Sequence, residues 1–148
     1  MPADRPVTRW LVDGMNVIGA RPDGWWRDRR AAMRRLTEAL ERFASETGEP
    51  VTVVFDGRPH DIPAGRVNVR FATRRGPDAA DDDIADLAAA DPEPASLRIV
   101  TSDAALAERA RGVGSEVVGA GAFRGRLDEL AGGARGEEGG GGARRTGA

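Results

Sequence analysis

"WLVDGMNVIG", Trp10 to Gly19, decides how the chain is read. An apolar run stops at Asp13, turns at Gly14, and offers Asn16 before apolar residues resume. A carboxylate at the end of an apolar strand has two meanings. Asp-Gly is common turn chemistry, and a strand-end Asp is also how a sheet edge presents a ligand. The other strands of the chain decide between them.

Working outward, "TRWLVD" predicts a first strand. From about Trp26 to Thr47, Met33, Leu36, Leu40 and Phe43 recur at three- and four-residue steps, one face of an amphipathic helix. Gly48 is placed to end it, ahead of Pro50. "VTVVFD" predicts a second strand, apolar throughout, as in a strand buried on both faces. "RVNVRF" alternates, with Val67, Val69 and Phe71 against Asn68 and Arg70, and predicts a half-exposed peripheral strand. "ADDDIADLAAA" follows as a short helix, then "LRIVTSD" as a buried strand and a helix to about Arg111. "SEVVGA" is a last strand, and "GAFRGRLDEL" closes as a helix with Phe123, Leu127 and Leu130 on one side. Strands alternating with helices predict an α/β domain around a mainly parallel sheet.

Three apolar strands then end in Asp: Asp13, Asp56 and Asp103. In an open parallel sheet those ends share one edge, where ligands bind. The run Asp81-Asp82-Asp83 opens a helix that starts near the same edge. Each acid has a plain alternative. Asp13 and Asp56 precede Gly, Asp103 suits a helix cap, and the triple Asp suits the positive end of a helix dipole. Caps do not, however, require an Asp at the same end of every strand. Two carboxylates 4 Å apart repel by about 4 kcal/mol at an effective dielectric of 20. A divalent cation is the simplest remedy, and an all-oxygen site suits Mg²⁺ or Mn²⁺. Such sites commonly serve phosphoryl chemistry. Asn16 is an amide beside this rim, able to orient water, to ligate through its oxygen, or to bond the backbone of its own turn.

Composition narrows the classes. The chain has 148 residues, 31% charged and 40% hydrophobic, as expected of one soluble domain. With no Cys and a single His, His60, disulfide scaffolds, thiolate centres and imidazole zinc sites are excluded. All 22 basic residues are Arg, and the net charge is −2. The whole chain is therefore not a basic nucleic-acid binder of the usual kind. No run is long enough to span a membrane, and "MPADRPVTRW" lacks the layout of a signal peptide. A cytoplasmic protein without membrane contact is expected. From residue 132 the chain is glycine-rich with almost no large apolar residue, so residues 132–148 are expected to form a disordered tail behind a domain at 7–131.

"LVDGMNVIGA", "VVFDG", "AADDDI", "VTSDAAL" and "VVGAGAFRGRL" occur in this order and spacing. In these five motifs the chain resembles YacP-like NYN-domain proteins, a group of PIN-like nucleases, from about Trp10 to Leu130. The resemblance implies a PIN-like three-layer α/β/α fold and metal-dependent endoribonuclease activity on RNA. Ribosome-associated mRNA cleavage is proposed for some members. By position it assigns Asp13 and Asn16 to the first motif and Asp56 to the second strand end. Asp81, or its neighbour Asp82, opens the "AD" helix, and Asp103 is the acid of "TSD". These acids would hold Mg²⁺ or Mn²⁺. One departure is the short "GRPHDIPAGRVNV" segment, which reduces any substrate-binding loop there.

Basic residues near these acids, Arg58, Arg70, Arg74 and Arg75, are candidates for contact with an RNA backbone. "GWWRDRR" pairs Trp25 and Trp26 with arginines, a pattern that suits either base stacking or core packing beside a solvated helix face. Two other classes compete: a non-catalytic RNA-binding adaptor of the same fold, and a phosphatase of small phosphoesters. "VDGMN" lacks the DxD pair of a haloacid-dehalogenase phosphatase, and retention of every acid disfavours the adaptor.

Overall fold

The structure, a computed structural model, describes residues 7–76 and 78–132. Five strands alternate with helices in chain order: β1 (Arg9–Asp13), α1 (Gly14–Gly19), α2 (Arg29–Thr47), β2 (Val51–Phe55), β3 (Asn68–Phe71), α3 (Ala79–Ala90), β4 (Leu97–Val100), α4 (Ala104–Gly112) and β5 (Glu116–Val118). A last helix, α5, covers 120–132. All strand pairs are parallel, in the order β3-β2-β1-β4-β5. The glycine-rich tail expected after α5 lies outside the described residues, apart from Gly132.

Side chains alternate across each strand, so β1 feeds both faces of the sheet. Trp10 and Val12 join Val53, Phe55 and Val100 beneath Leu36, Leu40 and Phe43 of α2 and Phe123 and Leu127 of α5. Leu11 joins Val54 and Ile99 on the opposite face, under Ile84 and Ala88 of α3 and Leu106 and Ala110 of α4. The result is the three-layer α/β/α arrangement expected. Trp10, Phe43 and Phe123 meet pairwise at 5.2–5.3 Å between ring centres. Such aromatic contacts add to the hydrophobic gain.

The periodicity of α2 holds, but the helix starts later than its apolar pattern suggests. Asp28 caps it, accepting a hydrogen bond from the Ala31 N–H at 3.0 Å. The preceding Trp25–Arg27 forms a separate 3-10 turn. Gly48 ends the helix at φ 71°, a left-handed conformation that glycine adopts without steric cost. β3 is the half-exposed edge strand, with Asn68 and Arg70 exposed. No helix joins it to β2. Instead the Glu41 carboxylate of α2 accepts the backbone N–H groups of Gly65, Arg66 and Val67 at 2.6, 2.9 and 3.0 Å. Ile62 and Val67 supply the buried anchors of that connection.

β1 lies at the centre. The chain builds outward through β2 and β3, then crosses back to place β4 on the other side of β1. The ends of β1 and β4 therefore flank the point where strand order reverses, the usual crevice of open α/β sheets.

Candidate active site

Asp13 ends β1 and caps α1, and it is 2% exposed. Its Oδ1 accepts the Asn16 N–H at 3.4 Å, and its Oδ2 accepts the Thr101 hydroxyl at 3.1 Å. The Asp-Gly pair thus opens a six-residue helix rather than a turn. Across the crevice, Asp103 caps α4 by accepting the Leu106 N–H at 2.8 Å. Its own N–H donates to the Thr101 hydroxyl oxygen at 3.1 Å. Thr101 therefore connects both carboxylate-bearing residues. The Asn16 Oδ1 accepts the Ser102 N–H at 2.7 Å, which ties α1 to the turn after β4. The Ser102 hydroxyl oxygen accepts the Ala120 N–H at 3.0 Å and so anchors the start of α5.

The remaining acids arrive on the α3 side. Asp56, just after β2, accepts the Ala80 N–H at 3.0 Å, satisfying one of the free donors at the start of α3. Asp81 lies in the first turn of that helix. Carboxylate oxygens of Asp78, Asp81 and Asp103 all lie within 4.8 Å of one another. Asp78 has φ 62°, a region Asp tolerates better than most residues. Its side chain makes no capping hydrogen bond.

The charges couple as this crowding requires. Burial pushes the Asp13 carboxyl up to about 7, and the neighbouring Asp81 charge adds to the rise; bonds from Thr101 and Asn16 oppose it. Asp81 is raised as well, first by burial and then by the Asp103 charge, with Asp78 and Asp56 contributing. The interaction between the two side chains favours the proton on Asp13 and the charge on Asp81.

Asp82 and Asp83 face elsewhere, because successive helical residues point about 100° apart. Asp82 pairs with Arg109 at 3.0 Å and Arg74 at 3.8 Å. Asp83 accepts the Thr73 N–H and hydroxyl at 2.8 and 2.9 Å. Of the four arginines named from the sequence, Arg74 also reaches Asp86 at 3.9 Å on the flank of α3. Arg70 lines a groove with Thr52, Leu87 and Asp91. Arg58 and Arg75 are exposed on loops that adjoin Asp56 and Asp78 in sequence.

Three residues of the site escaped the sequence reading. Asp78 carries a local signal, a carboxylate three positions before Asp81 at a helix start. Thr101 and Ser102 carry none, since their partners are 88 and 18 residues away. Arg124, in the "GAFRGRL" motif, donates to the Val17 and Ile18 carbonyls at 3.0 and 3.3 Å and to Asp23 at 3.1 Å. It thereby closes the far end of the helix that Asp13 opens.

Two solved structures share this arrangement of the chain. A crystal structure of Rae1 (YacP) from Bacillus subtilis, in a mutant form, superposes with a TM-score of 0.70 at 28% identity, over 84% of this chain and 77% of that one. A second crystal structure of Rae1 (YacP) from Bacillus subtilis gives 0.67 at 28% identity, over 88% and 78%. No curated protein sequence matches the chain. The family model of the YacP-like NYN domain matches residues 10–139. Fold similarity and sequence match agree: the chain belongs to the YacP-like NYN domain family of PIN-like nucleases.

Proposed function

We propose that the chain is a metal-dependent endoribonuclease. The observation that carries this reading is the gathering of Asp78, Asp81 and Asp103 oxygens within 4.8 Å, beside buried Asp13 at the sheet's switch point. The donor set fits a hard divalent cation, Mg²⁺ or Mn²⁺, because every donor is a carboxylate oxygen. When bound, such an ion supplies an activated water and neutralises charge on the attacked phosphate.

The chain's own residues divide the remaining work. Asp13, Asp81 and Asp103 would hold the cation, with Asp78 completing the set. Asp81 serves rather than Asp82, whose carboxylate is turned to Arg109. Asp56 positions α3 through the Ala80 N–H and adds negative charge at the rim. Thr101 and Asn16 fix how the two strand ends face each other. Arg58 and Arg75, exposed on the loops that adjoin Asp56 and Asp78 in sequence, would meet an RNA backbone. Arg70, in a groove with Pro50 and Leu97 at the strand starts, and Arg74, paired with Asp82 and Asp86, are turned away from that rim.

A labelled circular RNA tests the proposal, because only internal cleavage opens a circle. With Mg²⁺ or Mn²⁺ the protein should linearise it, and with EDTA it should not. Asp81→Asn and Asp103→Asn should each lower the rate on the order of 100-fold, the scale on which losing one charge-stabilising group acts. Undiminished cleavage in EDTA, or by both variants, would overturn the site. Binding without cleavage under every metal condition would leave the adaptor reading instead.

A further inference from the structure

"GWWRDRR", Gly24 to Arg30, takes no part in the acidic centre. Its two tryptophans differ in the structure. Trp25 packs partly into the core. Trp26 stays 51% exposed, and the other exposed large hydrophobic among the described residues is Val7, the first of them. The two rings meet edge to face at 5.9 Å and 86°. The Arg27 guanidinium lies over the Trp26 ring at 5.9 Å, and that of Arg29 over Trp25 at 5.6 Å.

The charges of this segment are lopsided. Among the described residues Arg27, Arg29 and Arg30 form no ion pair. Its acids are occupied, Asp28 as the cap of α2 and Asp23 with Arg124. Arg27 over the exposed indole, Arg29 over its neighbour Trp25, and Arg30 next in the chain give this segment a local cationic character on a chain of net charge −2. Along the chain, α1 and the loop at 20–24 lead from Asp13 to this turn.

We propose that Trp26, flanked by Arg27 and Arg29, is a stacking platform for an unpaired base of the RNA strand whose backbone crosses the acidic centre. Every base offers a π-face to an indole, and neighbouring guanidiniums take the phosphates. The proposal rests on the ribonuclease reading and names a substrate contact for the same site. It selects single-stranded RNA over a protein partner because the segment's unpaired charged groups are all cationic and one of them lies over the exposed aromatic ring.

Anisotropy of a labelled single-stranded 12-nucleotide RNA, in EDTA and in Mg²⁺, tests it. Trp26→Ala should weaken binding roughly 5- to 160-fold, the range for loss of one base–aromatic stack. Trp26→Phe should recover part of that loss, and thermal unfolding should stay unchanged because the ring is half exposed. Arg27→Gln should lower the slope of log affinity against log salt by about one. Equal RNA affinity for parent and Trp26→Ala would overturn the platform and leave the ribonuclease reading standing. Absence of RNA binding by the parent in both conditions would overturn both. A self-associated species lost on Trp26→Ala, with RNA affinity intact, would assign the surface to a second copy of the chain and overturn the proposal.

Discussion

At Asp13, burial and the Asp81 charge favour the protonated form, so folding raises its pKa from 3.8 to about 7. The folded protein then binds more protons than the unfolded chain between about pH 4 and 7. In the metal-free state this group's contribution to stability falls as pH rises through that window. Glu41 and Asp91, both lowered, act in the opposite sense, and their contribution is lost only as pH falls below about 4. Asp13→Asn keeps the size and a carbonyl acceptor but removes the charge. In EDTA it should match the parent near pH 4.5 and exceed it at pH 7.5, by on the order of 2–4 kcal/mol in urea unfolding. A variant less stable than the parent at pH 7.5 would show that the carboxylate itself is needed by the fold. Gly14 beside it reads as turn chemistry in the sequence, yet its constraint is space. A Cβ there would lie 2.5 Å from the Phe55 ring and 3.0 Å from Val53. Gly14→Ala should therefore cost about 1–3 kcal/mol by overpacking, measured as a lower urea midpoint at unchanged slope. The strand-end acids were legible because apolar runs stop at them. Which of Asp81 and Asp82 turns inward was not, because the docking of α3 sets that rotation.

Among the elements, α2 was legible from 19 residues of helical period. With only six residues, α1 is too short to show a period, and it is held by a local cap at its start and a tertiary partner at its end. Asp13 caps its start, and Arg124 satisfies the carbonyls of Val17 and Ile18 at its end. A cation at a helix C-terminus is favourable both as a donor and against the dipole. Arg124→Met keeps much of the apolar stem but removes five donors. It should cost about 1.5–3 kcal/mol, the scale for hydrogen bonds from a charged group. Amide exchange should rise selectively over Gly14–Gly19, and Arg124→Lys should recover part of the loss. Uniform exchange across the whole chain would show that the residue supports the core rather than this helix.

For the whole molecule, alternating strands and helices foretold the parallel sheet, but not its order. Order depends on which side of β1 the chain returns to, and no local residue records that choice. The order matters because it opens the crevice between β1 and β4 where acids from distant segments converge. On the proposed reading an ion would bind only the folded crevice and so stabilise it by mass action. At an ion concentration 100 times the dissociation constant, Mg²⁺ or Mn²⁺ should add about 2.7 kcal/mol. A thermal melt with metal and with EDTA reads this, and Asp103→Asn should shrink the difference. Equal melts for the parent at millimolar Mn²⁺ and in EDTA would separate the acidic crevice from metal binding.

The helix-free connection from β2 to β3 gives the architecture a modular port. Its last residues are locked by Glu41, and the stretch from Gly57 to Pro63 is held by the buried Ile62 and by the His60 ring against Phe71. Lengthening a surface loop is cheap, about 0.6 kcal/mol per doubling. An insertion at Gly57 or Arg58 would leave the sheet edge beside Asp56, which holds the start of α3, while Asp13 and Asp103 stay on elements it does not touch. If the chain is the ribonuclease proposed, residues added here would change its choice of target and leave the strand-end acids in place.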